Sequence, residues 1–377
     1  MIQPVFKPLS LVLLVFGLVI SFSCHKAYAE VVRKPVRAGS FYPADPHELA
    51  QLIDQLTRKS QKTRVSLPSN KLLRAIVLPH AGYIYSGWTA AHAALVLKGN
   101  RYPKVILLGP DHFIGIKNGA ICNVAAYETP LGKINLHPDV AKLRHQPALF
   151  QPLPVSRDKE HSLEVILPFL QTYLGYFELV PIIVGRAEIG PMADAINPLI
   201  GDDTLLVISS DLSHYLAYSE AVAIDRQTIS AIMQMTPAKL VETDNRACGL
   251  MPVLILLDIA KRHHWQPVFL HYTNSGDTAG GRSRVVGYSA IAFFGDQLME
   301  NHNDSNANFS AEQGQMLVKL ARHTIMKKLG RTTSGSDSDA LARARQDDGF
   351  KSQCGTFVTG LDDIYKADVI PKAVFKV

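Results

Sequence analysis

The chain has 377 residues and a formal net charge of +6, from 39 Lys and Arg against 33 Asp and Glu. Apolar residues make up 47% and charged residues 19%, a globular composition that excludes disorder, collagen and coiled coil as the main class. Four cysteines exclude a disulfide scaffold, and a small basic excess without a dense basic run gives no ground for nucleic-acid binding.

Lys7, an apolar run from Leu9 to Ile20, and Ala27-Tyr28-Ala29 before Glu30 have the n-region, h-region and cleavage-site order of a secretory signal peptide over 1–29. The run is about twelve residues, short of the ~20 that a membrane span needs. The expectation is an exported, periplasmic protein; a lipidated Cys24 and an uncleaved anchor are the rival readings. Cleavage removes Lys7 and Lys26, so the basic excess shrinks. It leaves Cys122, Cys248 and Cys354, an odd number, so at least one is unpaired or has another task.

Asp45-Pro46-His47-Glu48 predicts a helix start, with Asp45 as cap and Pro46 in the first turn. Leu49, Leu52, Ile53 and Leu56 then form one buried stripe. Beyond it, short apolar runs predict strands at Ala75–Leu78, Val105–Leu108, Ala120–Ala125, Leu179–Val184, Leu205–Ile208, Val268–Tyr272 and Val286–Phe294. Most are continuous rather than alternating, the pattern of strands buried on both faces. Helical stretches are predicted at Ser86–Lys98, Ser162–Tyr173, Glu220–Met233 and Leu250–His263. The fold class is therefore α/β: a layered domain over 31–296 with a central mixed, largely parallel sheet flanked by helices. Residues 297–308 are polar and Asn-rich and read as a linker. Residues 309–377 open with a capping box at Ser310 and Gln313, then turn poor in apolar positions.

Ligands in open α/β sheets bind at the carboxyl ends of strands. The first predicted strand is followed by Pro79-His80-Ala81-Gly82-Tyr83, the second by Gly109-Pro110-Asp111-His112, and the fifth by Ser209-Ser210-Asp211-Leu212-Ser213-His214. One such histidine reads as a hydrogen-bonded structural ring; three at one end of a sheet read as a metal or proton-transfer site. Cys248, before an apolar helix and near Arg246, is either a dipole-favoured thiolate or an inert buried thiol. His161 and Glu164, three apart, would be neighbours on a helical face. Asp277 follows another predicted strand and is either a pocket residue or a turn residue. Serine-hydrolase elbow, Walker A, dinucleotide-binding and zinc-ribbon patterns are absent.

Taken together, Arg37-Ala-Gly-Ser-Phe-Tyr-Pro43, Pro79-His-Ala-Gly-Tyr83, Gly109-Pro-Asp-His112, Glu128-Thr-Pro-Leu-Gly132, Glu160-His-Ser-Leu-Glu164, Ser209-Ser-Asp-Leu-Ser-His214 and Cys248-Gly249 resemble the Memo family. That family shares its fold with class III extradiol dioxygenases of the LigB type. The resemblance implies a metal held by His80, His112 and Cys248, with His214 and Asp211 in proton transfer. It also implies Tyr83, Asp111, His161, Glu164 and Asp277 lining the pocket or supporting the ligands. Cys248 stands where the dioxygenases have a carboxylate, and a thiolate favours copper or zinc over a hard ferrous site. Memo relatives are linked to iron, to copper redox chemistry and to phosphopeptide binding. The implied cofactor is thus a transition metal, iron or copper, with zinc as an alternative. The tail resembles the start of an AMMECR-type domain, cut short before that domain's Arg-Gly-Cys-Ile-Gly motif. AMMECR-type and radical SAM proteins are the partners this implies, beside an unidentified small molecule or peptide.

These features support first a metal-binding protein with class III extradiol dioxygenase-type architecture, which, if it is an enzyme, is a non-haem-metal-dependent, dioxygenase-like oxidoreductase. A peptide- or anion-binding module without catalysis, and a periplasmic copper- or iron-binding protein, are the alternatives.

Overall fold

The computed structural model describes residues 31–242 and 246–296. The expected signal peptide, linker and AMMECR-like segment lie outside these residues. The described strands are β1 (Val32–Arg33), β2 (Leu72–Leu78), β3 (Lys104–Pro110), β4 (Gly119–Cys122), β5 (Ala126–Thr129), β6 (Gly132–Asn135), β7 (Phe150–Leu153), β8 (Glu178–Val184), β9 (Thr204–Ser209), β10 (His214–Leu216), β11 (Gln266–Asn274) and β12 (Val285–Gly295).

Nine of them form one mixed sheet. Its centre is β2-β9-β3-β8, all parallel. On one side β4 runs antiparallel to β8 and carries β7; on the other β12 runs antiparallel to β2 and carries β10 and β11. A small second sheet, β1-β5-β6, holds the start of the described chain.

The continuous apolar runs serve two cores at once. In β3, Val105 and Leu107 face one cluster while Ile106 and Leu108 face the other; Leu205 and Val207 against Leu206 and Ile208 repeat this in β9. Helices Pro46–Ser60, Tyr83–Ala90 and Leu167–Leu174 cover the first face. Helices Asp139–Arg144, Ile189–Ile196 and Leu250–Arg262 cover the second. Each buried aliphatic side chain contributes roughly 1.5–3 kcal/mol, so both faces favour the strand positions read from the sequence.

Two predicted helices are broken, for side-chain reasons. Ser86–Lys98 is helix Tyr83–Ala90, a 3₁₀ turn at Ala91–Ala93 and a single turn at Ala94–Leu97. There Ser60 Oγ donates to the Ala91 carbonyl and His92 Nδ1 bonds the Trp88 carbonyl, so side chains compete for the helical carbonyls. Ser162–Tyr173 becomes a 3₁₀ turn at Glu164–Ile166 and then a helix only from Leu167. The Ser162 N–H is taken by Glu160 Oε1 and its hydroxyl by the Pro110 carbonyl, and Pro168 suits the first turn of the late start.

Under β11, the His92 and His271 rings stack 3.8 Å apart, with Trp88 4.5 Å from His271 and Lys59 Nζ over the Trp88 ring. Burial, then His92 and Lys59, push His271 down to about 3, and burial also lowers His92. The unfolded chain binds these protons near the ordinary histidine value of ~6.5, whereas the folded rings resist them to lower pH. Their stabilisation is therefore complete above pH ~6.5 and eroded as pH falls toward 3. Urea unfolding at pH 7.5 and 4.5 should show a smaller acid loss of stability in His271→Phe than in the wild type. Equal losses would remove this pair from the account of acid sensitivity.

Candidate metal centre

The site lies where three adjacent central strands end. β2 runs into Pro79-His80, β9 into Ser210-Asp211, and β3 into Asp111-His112. Cys248 reaches the same place from the turn before helix Leu250–Arg262. Gly249 makes that approach feasible: a Cβ there would stand 2.6 Å from the Ser209 carbonyl oxygen and 2.5 Å from Ser210 Cβ.

Each histidine has one ring nitrogen already engaged. His80 Nδ1 is 2.7 Å from Ser209 Oγ, and Ser209 donates its own hydroxyl proton to the Ser162 carbonyl. Ser209 must then accept from His80, which puts the ring proton on Nδ1 and leaves the Nε2 lone pair free. His112 Nδ1 is 2.9 Å from Glu160 Oε1, and its backbone N–H donates to Glu160 Oε2 at 2.7 Å. The His112 Nε2 is likewise open. A carboxylate or hydroxyl on the far nitrogen is the usual support of a ligating imidazole.

The third donor closes the set. Cys248 Sγ lies 3.5 Å from His80 Nε2. A tetrahedral ion with bonds of ~2.1 Å to nitrogen and ~2.3 Å to sulfur would separate such donors by roughly 3.5 Å. Donor atoms of His80, His112 and Cys248 lie within 4.8 Å of one another, as do those of Asp211, His214 and Cys248, and those of His112, Glu160 and His161. The residues therefore fit a transition metal with nitrogen and sulfur ligands, and do not by themselves choose among iron, copper and zinc.

Electrostatics divide the groups. Burial and the neighbouring His112 lower His80 to about 3; burial and His80 lower His161 to about 3. Burial opposes charge on His112 too, but the hydrogen bond and charge of Glu160 outweigh it and raise its pKa. Burial pushes the Asp211 carboxyl up, against the pull of His214. The Cys248 thiol, enclosed by His80 and Asp211, is raised by burial and by that carboxyl. The helix start does not by itself favour a thiolate here, and Arg246 turns to Gln227 rather than to the sulfur.

A cavity of about 460 Å³ opens beside the cluster, with His161, Asp211 and His214 on its polar wall and Phe41, Tyr85 and Tyr288 among its aromatic lining. His214 is aimed by its Nδ1 bond to the Leu212 carbonyl. The next residue, Tyr215, has φ of 61° and sits at the register shift between β10 and β12. A bulge of this kind re-aims the flanking side chain.

The Memo-like protein family model matches residues 33–292. The chain belongs to the Memo family. It is similar to MEMO1 family proteins of Pyrobaculum arsenaticum and Aquifex aeolicus, each 36% identical, covering 70% of this chain and 99% of the relative. A Nitrosopumilus maritimus MEMO1 family protein is 33% identical, covering 70% of this chain and 100% of the relative. The layered mixed sheet is thus a Memo domain, and the described residues span almost all of it.

Within this Memo domain Tyr83, Asp111, Glu164 and Asp277 each have hydrogen-bond partners in the surrounding frame. Tyr83 is buried and its hydroxyl donates to the Val165 carbonyl. Asp111 accepts from the N–H groups of Phe113, Ile114 and Ile116, fixing the loop after His112. Glu164 does not pair with His161, because the segment is not yet helical there. Its carboxylate accepts from Arg33, from the Val36 and Arg37 N–H groups and from the Tyr42 hydroxyl. Asp277 caps the turn after β11 and accepts from the Tyr218 hydroxyl. His161 does reach the cluster, its ring stacked 4.8 Å from His112. Sequence reasoning missed Glu160 and Ser209; their only signal was a position beside residues already suspected.

Gly249→Ala should cost about 1–3 kcal/mol, the usual cost of overpacking, and move Cys248 off the β9 end. Denaturant unfolding and the accessibility of Cys248 to a thiol reagent measure both. An unchanged midpoint and unchanged labelling would show that the close approach carries no constraint.

Proposed function

We propose that this Memo protein is an exported, metal-binding protein whose ion is held by His80 Nε2, His112 Nε2 and Cys248 Sγ. The convergence of these donors, with both Nδ1 atoms already engaged, carries the reading. Iron or copper is the proposed ion, with zinc as the alternative that a thiolate also suits. The resemblance to class III extradiol dioxygenases makes a metal-dependent oxidoreductase the first reading of its activity.

When bound, the ion would supply Lewis-acid polarisation. The chain's own residues do the rest. His214 and Asp211 stand together on the cavity wall, one an imidazole aimed by Leu212 and the other a carboxyl pushed up toward neutrality. That pairing suits exchange of a proton with a bound molecule. The aromatic lining suits a planar substrate of small-molecule size. AMMECR-type and radical SAM proteins are proposed functional associates.

A second reading, a binding module for an anion or peptide, has one observation in its favour. Arg284 lines the cavity over the Tyr215 ring and makes no ion pair among the described residues.

Elemental analysis after loading with iron, copper or zinc should find about one ion per chain, and at least a 100-fold weaker affinity in the His80→Ala, His112→Ala double variant. Metal-free protein in both cases sinks the metal reading. Dioxygen uptake with catechols that vanishes in His214→Ala favours the enzyme. Anion or peptide affinity that survives chelation and falls in Arg284→Ala favours the module.

A further inference from the structure

Arg33 is almost wholly buried, yet the chemistry above makes no use of it. It lies in β1, a few residues past the expected cleavage site. Its Nε donates to Asp158 Oδ2 at 2.7 Å and its Nη1 to Glu164 Oε2 at 2.8 Å. Its Nη2 reaches the Glu160 carbonyl and, at 3.4 Å, Asp158 Oδ1. One guanidinium thus grips three residues of the 158–164 loop. That loop in turn holds both ligating imidazoles. Glu160 fixes His112 at Nδ1 and at the backbone N–H. The Ser162 carbonyl fixes Ser209, and through it His80. The adjoining Val36 and Arg37 N–H groups donate to Glu164, each at 2.8 Å.

We infer that Arg33 is a positioning residue for the metal centre, and that residues 32–37 act as a strap which sets the orientation of His80 and His112 through the 158–164 loop. The inference rests on the metal-binding reading above. A lysine carries the charge but not the planar fork that meets Asp158, Glu160 and Glu164 together. A merely structural Arg33 would change stability and leave the affinity of the folded protein untouched.

The test compares wild type, Arg33→Lys and Lys34→Ala in the whole protein. Lys34 is the neighbouring control, since its ion pair with Glu128 is at the surface. Zinc affinity, measured by competition with a chelator, should fall about 10–100-fold in Arg33→Lys, the usual range for losing support behind a ligand, and stay at the wild-type value in Lys34→Ala. Ring ¹⁵N signals of His80 and His112 in the metal-free protein should report one fixed state with Nδ1 protonated in each ring of wild type, and an averaged state in Arg33→Lys. If Arg33→Lys does not fold, Arg33→Met with Asp158→Asn and Glu164→Gln removes the buried charges together and takes its place. A folded variant with wild-type affinity and wild-type ring signals overturns the strap. Wild type that binds no ion defeats the metal reading instead, and the ring signals still decide the role of Arg33.

Discussion

The Glu160 carboxylate is the contact on which the site depends. It is buried, and it accepts from the His112 ring, from the His112 backbone and from the N–H groups of His161 and Ser162. Burial alone would raise its pKa; the His112 hydrogen bond and the surrounding N–H donors outweigh this and hold it down to about 2. A carboxylate so satisfied cannot move without leaving several donors unpaired, each at a cost of about 1–3 kcal/mol. The loop from Asp158 to Glu164 is therefore irregular in trace but tightly specified in position. It does for the histidines what a strand end alone cannot, since β2 and β3 only bring the backbone to the right neighbourhood.

The fold was legible because its signal is collective. Runs such as Val105–Leu108 and Leu205–Ile208 can be buried on both faces only inside a sheet covered by helices, and the alternation of their residues between two cores fulfils that reading. The short strands β1, β5, β6, β7 and β10 have two to four residues each. Such lengths carry too little periodicity to stand out from loops. The helix breaks at Ala91 and before Leu167 were hidden for another reason. They involve bonds that Ser60 makes to the Ala91 carbonyl and Ser162 to the Pro110 carbonyl, partners 31 and 52 residues apart that no local propensity encodes.

The site was legible where backbone position decides it. His80, His112 and Asp211 follow strand ends, so the sheet itself brings them together. Acidic residues were harder to place. Asp158, Glu160 and Glu164 lie within seven residues, and all three are buried. Asp158 and Glu164 are salt-bridged to Arg33, Glu160 supports His112, and Glu164 also holds the Val36 N–H. Nothing in their spacing distinguishes these tasks, because each task is assigned by a partner more than forty residues away.

Burial and neighbouring charges set which groups of the cluster stay neutral. His80 and His161 are held neutral, and the Cys248 thiol is pushed toward its protonated form. Only His112 is drawn toward positive charge, and the group that draws it is Glu160. The buried carboxylate thus favours positive charge on the imidazole that it holds. An ion at the His112 Nε2 would occupy the position of that charge while taking the lone pair of His80 and displacing the Cys248 proton.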